Sequence, residues 1–486
     1  MTKVLSGLQP NALWNNFESL CEIPHPSRHE SKIRDFVVKF GKDLGFETIV
    51  DEVGNVIIRK PATPGMENRK GVILQAHLDM VPQKNNDTVH DFEKDSIRPR
   101  IDGEWVKATG TTLGADDGIG VAAGMAILQS TDIPHGPVEV FCTIDEETGM
   151  TGAFGLKGGL LKGDILLNLD SEEEGILYIG CAGGTNANIT FPYTTQAVPS
   201  GMKAFVIEVG GLKGGHSGVD IPLGRGNSNK LLLRFLYLSA KKHGLRLANI
   251  DGGSLRNAIP RESKAVVLIP SDKVECFMDC VKKYESDIQH ELISVEPGLK
   301  FCAQPTAMPN GVFDLTSQRN MINALYVCPN GVIRMSNDMK DLVETSTNLA
   351  IVKSENGKVE VQCLLRSSVD TAKDDLENMM AALFELTGAD ANFSGKYPGW
   401  KPNVDSPILK EMTEIYTKKF GKAPVIGAIH AGLECGLMGG VYPNWDMISF
   451  GPTIVHPHSP DERVSIASVQ KFWSFLVDTL KNIPVK

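Results

Sequence analysis

No run of apolar residues in this 486-residue sequence approaches the roughly 20 needed to cross a bilayer, which excludes a protein built on membrane-spanning helices. Positive charge is in the minority: Lys and Arg number 49 against 59 Asp and Glu, a formal net charge of −10. No stripe is dense enough in Lys and Arg to neutralise a phosphate backbone, so nucleic acid is excluded as a partner. The first 20 residues lack the basic start, apolar centre and small-residue cleavage site of a secretory leader, and the cytoplasm is the expected location. The nine cysteines form no C-x-x-C pair, and an odd number scattered over a long chain opposes a disulfide framework. They are expected as reduced, mostly buried thiols.

What is present is an ordinary globular balance, 42% hydrophobic and 22% charged, in a chain long enough for about two to four domains. Apolar residues at helical spacing in NALWNNFESL and SKIRDFVVKFGKDLG predict two helices within 10–43, broken at Pro24 and Pro26. Four later segments, GVILQAHLD, VEVFCTIDEE, DILLNLDSE and WDMISFGPTIVHPH, are continuous apolar runs that end in acidic or His residues. Runs without alternation suit strands buried on both faces. With helical stretches between them, notably 117–130, they predict an α/β catalytic domain with a mixed, mainly parallel sheet covered by helices. From about 187 to 395 the pattern changes to strand, helix, two strands, helix, strand, twice over, which predicts an inserted α+β lid domain of two related halves. Residues 1–186 and 396–486, the latter with a helix closed by Gly421, then build the catalytic domain together.

Ligands gather beyond the carboxyl ends of strands in open α/β sheets. That edge collects His77, Asp79, Glu146, Glu147, Asp170 and His458, and Asp116 joins them ahead of a helix N-terminus in TTLGADDGIG. So many carboxylates and imidazoles carry too much like charge to converge without cations. Nitrogen and oxygen donors without thiolate suit Zn²⁺, Co²⁺ or Mn²⁺. Each catalytic ion takes about three protein ligands and keeps an open position. Five of the seven groups therefore serve two divalent ions if one carboxylate bridges them, leaving Asp79 and Glu146 for other work. Asp79 lies two residues beyond His77 on the same side of an extended chain, where it can take the imidazole's other N–H. In Glu146-Glu147 adjacent side chains point apart, so one can hold metal while the other faces a water.

These residues resemble the M20 family of co-catalytic zinc peptidases, whose pattern runs H-x-D, a Gly-x-x-Asp variant, Glu-Glu, a strand-end Asp or Glu, and a late His in H-[ST]-x-[DE]. The match extends over nearly the whole chain. TTLGADDGIG, DEETGMTGAFGL, HAGLECG and HPHSPDERV are most similar to the family's aminoacyl-histidine dipeptidase branch. The resemblance implies a dipeptidase of unblocked substrates, Xaa-His among them. It implies that His77 and Asp170 hold one metal, that Glu147 and His458 hold the other, and that Asp116 bridges. Glu146 is implied as general base and Asp79 as the orienter of His77. A cis peptide at Asp116-Asp117 and a homodimeric assembly are further implications. Position 118 is Gly where other branches carry Lys, which argues away from the carboxypeptidase and deacylase branches.

Hydrolysis also needs a donor for the developing oxyanion, and His216 in Gly-Gly-His-Ser-Gly is the candidate, projecting from a turn that glycines allow to approach a ligand. A dipeptide presents two charged ends. Glu434 in HAGLECG is the candidate for the amine; Arg366, ending VQCLLRSS, and Asn257, in a segment similar to the family's N-x-[IV]-P element, are candidates for the carboxylate. The competing readings are a di-metal tripeptidase, carboxypeptidase or N-acyl amino acid deacylase, or a non-catalytic peptide-binding protein on the same fold.

Overall fold

The computed structural model describes residues 3–486, which divide into two compact units. The first comprises the residues up to Gly180 with Pro402–Ala428 and Leu433–Lys486; the second is Cys181–Lys401 with Ile429–Gly432. The expected boundaries at 187 and 395 fall inside the second unit. The reason is that the strand Gly183–Pro192 follows Ile176–Cys181 almost without a break, so no turn composition marks the crossing. None of the helices among the described residues is long and apolar enough to cross a membrane.

The first unit is built on an eight-stranded mixed sheet. Its four central strands, Val138–Thr143, Val72–His77, Ile165–Asn168 and Asp446–Ser449, lie side by side and parallel. Strands Glu47–Val50 and Val56–Lys60 add antiparallel on one side, and Ile176–Cys181 adds antiparallel on the other. Every residue of Val72–His77, Val138–Thr143 and Ile165–Asn168 is buried, as a sheet covered on both faces requires. Helices Asn11–Cys21, Ser31–Asp43, Ala115–Gln129, Pro407–Phe420 and Ile466–Lys481 belong to this unit. Pro407–Phe420 shows the local causes clearly: Ser406 Oγ accepts from Leu409 N at 3.0 Å, Pro407 opens the first turn, and Gly421 at φ 73° ends the helix in the left-handed region.

The second unit carries a nine-stranded antiparallel sheet. Strand Met202–Gly210, helix Ser228–His243, strands Arg246–Gly252 and Ser263–Pro270, helix Val274–Leu292 and strand Lys300–Pro305 form one half. Strand Gly183–Pro192, helix Leu315–Val327, strands Val343–Glu355 and Lys358–Ser367, helix Asp370–Glu385 and strand Asp390–Tyr397 form the other. In each half the first strand sits between the third and the fourth, and the halves join where Arg246–Gly252 pairs with Val343–Glu355. The second half encloses the first in the chain, because its opening strand precedes the whole of its partner. Phe191, Phe235, Phe277, Phe301 and Phe384 fill the core between sheet and helices.

Candidate metal centre

Three of the four parallel strands of the first unit deliver site residues at or just past their last residue. His77 is the final residue of its strand, Asp79 follows two residues on, Asp145 to Glu147 follow Thr143, and Asp170 follows Asn168. Asp116 enters from the start of Ala115–Gln129, where Gly114 at φ 73° and the non-helical Asp116 and Asp117 set a sharp turn. The Asp116-Asp117 peptide is cis. His458 adopts φ 58° and Asp145 φ 52°, left-handed values that non-glycine residues rarely take and that concentrate at working sites.

Two triads result, and they share one residue. His77, Asp116 and Asp170 form the first, and Asp116, Glu147 and His458 the second. His77 Nε2 lies 3.2 Å from Asp116 Oδ1 and 3.4 Å from Asp170 Oδ1. His458 Nε2 lies 3.2 Å from Asp116 Oδ2 and 3.1 Å from Glu147 Oε2. Asp116 thus turns one oxygen to each triad. An imidazole Nε2 has at most one hydrogen to give, yet each of these faces two carboxylates at nearly equal distance. Ligands about 2.0–2.1 Å from one tetrahedral ion stand about 3.3–3.4 Å apart, so the donor set fits a pair of ions sharing Asp116. Glu147 Oε1 is buried without a hydrogen-bond partner, a further acceptor for a cation.

The charges argue the same way. Burial, with Asp117 and Asp116 adding, pushes the Asp170 carboxyl well above the usual carboxylate range. Burial likewise raises Glu146, with Glu434 and Glu147 beside it. At His77 burial favours the neutral ring, but Asp170, Asp116 and Asp79 outweigh it and raise the imidazole. Hydrogen bonds to Asp116 and Glu147 take His458 up to about 11. The cluster by itself holds together only by retaining protons, and divalent cations are the better counter-charge.

Asp79 does more than its expected task. Its main-chain oxygen accepts from His77 Nδ1 at 3.0 Å, with the carboxylate Oδ1 3.4 Å from the same nitrogen. The carboxylate accepts the backbone N–H groups of Glu146 at 2.9 Å and Glu147 at 3.2 Å, so this one residue sets the imidazole mainly through its backbone and the Glu-Glu turn through its side chain. Glu434, 1% exposed, lies beneath this layer. One oxygen accepts from Gln75 at 2.6 Å and Thr143 at 2.7 Å, the other has no partner, and burial raises the carboxyl to about 7.

Two buried acids and one half-buried acid were assigned no role by sequence reasoning. Glu462 accepts backbone N–H from Leu113, Gly114, Ala115 and Asp116 at 2.7 to 3.3 Å, clamping the turn that carries the shared aspartate. Asp117 Oδ2 accepts from His77 N at 3.3 Å and its Oδ1 from Gly120 N at 3.1 Å; a Cβ at position 120 would stand 2.3 Å from that oxygen. Glu172, two residues past Asp170, is raised to about 8 by burial and then by Asp116. Each stood inside a segment already singled out, Asp117 in TTLGADDGIG, Glu172 at the end of DILLNLDSE and Glu462 near the end of HPHSPDERV, but nothing there set its role apart.

The remaining candidates belong to the second unit. His216 lies in a two-residue strand paired with Ala258-Ile259, and Ser217 N donates to Asn257 O at 2.8 Å, which sets Asn257 beside it with its side chain exposed. His216 Nδ1 accepts from Gly218 N at 3.2 Å and Val219 N at 3.1 Å. Burial and then Arg366 lower its pKa. The neutral ring therefore carries its hydrogen on Nε2, the nitrogen of a donor. Arg366 is 5% exposed, its Nε has no partner, and among the described residues no carboxylate pairs with it. Ser217 Oγ lies 3.4 Å and the His216 ring 3.5 Å from its Nη2, and the Tyr397 side chain is a further polar neighbour. His430, bonded to Ser346 Oγ at 2.7 Å, is lowered to about 3 by burial and then by Arg366.

Residues 73–482 match peptidase family M20/M25/M40, and the chain belongs to that family. It is 50% identical over 482 residues to the cytosol non-specific dipeptidase of Escherichia coli K12, covering 99% of both chains. Its structure is similar to that of the aminoacylhistidine dipeptidase from Vibrio alginolyticus, with a TM-score of 0.95 and 51% identity over 99% of this chain and 98% of the other. The aminopeptidase PepT from Bacillus cereus shares the fold at a TM-score of 0.58 and 16% identity, over 98% of this chain and 99% of its own.

Proposed function

We propose that this chain is a metal-dependent dipeptidase that hydrolyses the peptide bond of unblocked dipeptides, Xaa-His among them, with zinc as the favoured metal. The observation that carries the reading is the pair of triads divided between the two oxygens of Asp116. His77 and Asp170 would hold one ion, Glu147 and His458 the other, and Asp116 both. A divalent pair held there supplies Lewis acidity, acidifying a water and polarising the scissile carbonyl.

The chain's own groups do the rest. Glu146, whose side chain makes no hydrogen bond to the protein, takes the proton of the attacking water and returns it to the leaving amine nitrogen. Asp79 keeps Glu146 and Glu147 facing apart by holding both of their backbone N–H groups. Glu462 fixes the Asp116 turn by the same means. His216 Nε2–H is suited to the oxyanion, and the unpaired guanidinium of Arg366 to the substrate carboxylate, with Asn257 beside them. We assign the substrate ammonium to the unpartnered oxygen of Glu434. The relatives' names support the substrate class and a cytosolic location, and the family resemblance supports a homodimer.

The test is a rate panel of dipeptides, tripeptides, carboxypeptidase substrates and N-acyl amino acids, run beside Glu146→Ala with metal analysis. Free dipeptides are expected to be cleaved fastest, and the variant to keep its metal while losing about 10² or more in rate. Cleavage of blocked amines at the rate of free ones would overturn the dipeptidase reading in favour of a deacylase.

A further inference from the structure

The second unit contains a separate group of side chains with metal-ligating chemistry, outside the site described above. His243 ends the helix Ser228–His243, and Cys276 and Cys280 lie one turn apart in the helix Val274–Leu292. Residues four apart on a helix share a face, so both sulfurs turn to the same side. The His243 nitrogen and the two sulfurs all lie within 4.8 Å of one another. His243 is 2% exposed, and neither ring nitrogen hydrogen-bonds another described residue. Its ring packs edge-on against Phe277, between the two cysteines in the chain, with centroids 6.0 Å apart. Burial and then Lys242 and Lys273 favour the neutral imidazole, the form that ligates.

We infer that His243, Cys276 and Cys280 form a second, thiolate-bearing metal site, selective for a thiophilic divalent ion of the zinc type. Sulfur about 2.3 Å and nitrogen about 2.0 Å from one ion need only a small closing movement of the two cysteine side chains from the present spacing. Two thiolates and one imidazole leave a fourth position to solvent, and Lys242 Nζ, 3.1 Å from Cys280 Sγ, balances the negative charge of the ligated sulfurs. Binding releases the thiol protons to solvent. The donor chemistry differs from that of the first unit, where every candidate ligand atom is nitrogen or oxygen, so the two sites sort metals differently.

Cobalt(II) tells them apart, because only thiolate ligation gives an intense sulfur-to-cobalt band in the near ultraviolet. The full-length enzyme, kept reduced with a phosphine, is titrated with Co²⁺ beside Cys276→Ser/Cys280→Ser and His243→Ala. The band is expected to saturate at about one equivalent in the wild type, to vanish in the double variant, and to need about tenfold or more cobalt in His243→Ala. Dipeptide turnover is expected to be unchanged in all three, which also reports that they fold. A wild type without the band, a band that survives the double substitution, or an affinity indifferent to His243 would each overturn the assignment.

Discussion

The two units gather polar residues in opposite ways. In the first, carboxylates crowd around two imidazoles until protons must be retained to hold them together. In the second, a buried guanidinium lies among Ser217, His216 and His430 with no carboxylate to pair with among the described residues. Burying charge without a partner costs several kcal/mol, so neither arrangement stabilises its unit. Each is incomplete by one sign of charge: the first lacks cations, the second an anion. The imbalance marks both as places for ligands, and its sign states which kind.

The largest effect expected from disturbing this contrast follows Asp116→Ala. Removing the carboxylate common to both triads is expected to lower kcat/KM by about 10⁴ or more and to strip metal from one or both, as elemental analysis in the Cys276→Ser/Cys280→Ser background would show. Glu146→Gln separates chemistry from binding of the ions, with a loss of about 10² to 10⁴ in kcat at unchanged metal content. Arg366→Met addresses the opposite sign. It should raise KM for dipeptides by about 10²-fold, since a charge-assisted bidentate contact is worth about 3 kcal/mol, while thermal unfolding shows stability unchanged or improved. A loss of stability in Arg366→Met would mean that the guanidinium is structural, and the contrast would fail. Glu462→Gln keeps the shape but returns an amide to backbone donors that need an acceptor; metal affinity should fall about 10- to 100-fold by calorimetric titration. The smallest effect is thermal. In the Cys276→Ser/Cys280→Ser background, chelation should destabilise the protein by about 3 kcal/mol for each ion lost, relative to a hundredfold excess of metal over Kd, and move the further Asp116→Ala variant less.

Of the candidate metal-centre residues, His77, Glu146, Glu147 and Asp170 stood out in the sequence because they lie at the ends of three apolar strands, where local pattern and chemistry coincide. The groups that hold them stood out less. Glu462 meets backbone donors almost 350 positions earlier in the chain, and no spacing rule connects 462 with 113–116. Glu434 reads in sequence as an acid between glycines, whereas Gln75 and Thr143, from two neighbouring strands, enclose it. The nested halves of the second unit were legible in outline only. The strand Gly183–Pro192 pairs with Lys358–Ser367 and Asp390–Tyr397, partners a chain-order reading cannot supply. Arg246–Gly252 and Asp390–Tyr397 also lack a clean alternation, and the exposed residues along Asp390–Tyr397 disguise it as a loop.

The central claim is that the first unit's acids and imidazoles are held together by a shared pair of ions. Its most direct test is inductively coupled plasma analysis of the metal-saturated protein beside Asp116→Ala, both in the Cys276→Ser/Cys280→Ser background. The account predicts about two ions per chain, falling to one or none without Asp116. A saturated protein that holds none, or an equal content in both, would contradict it.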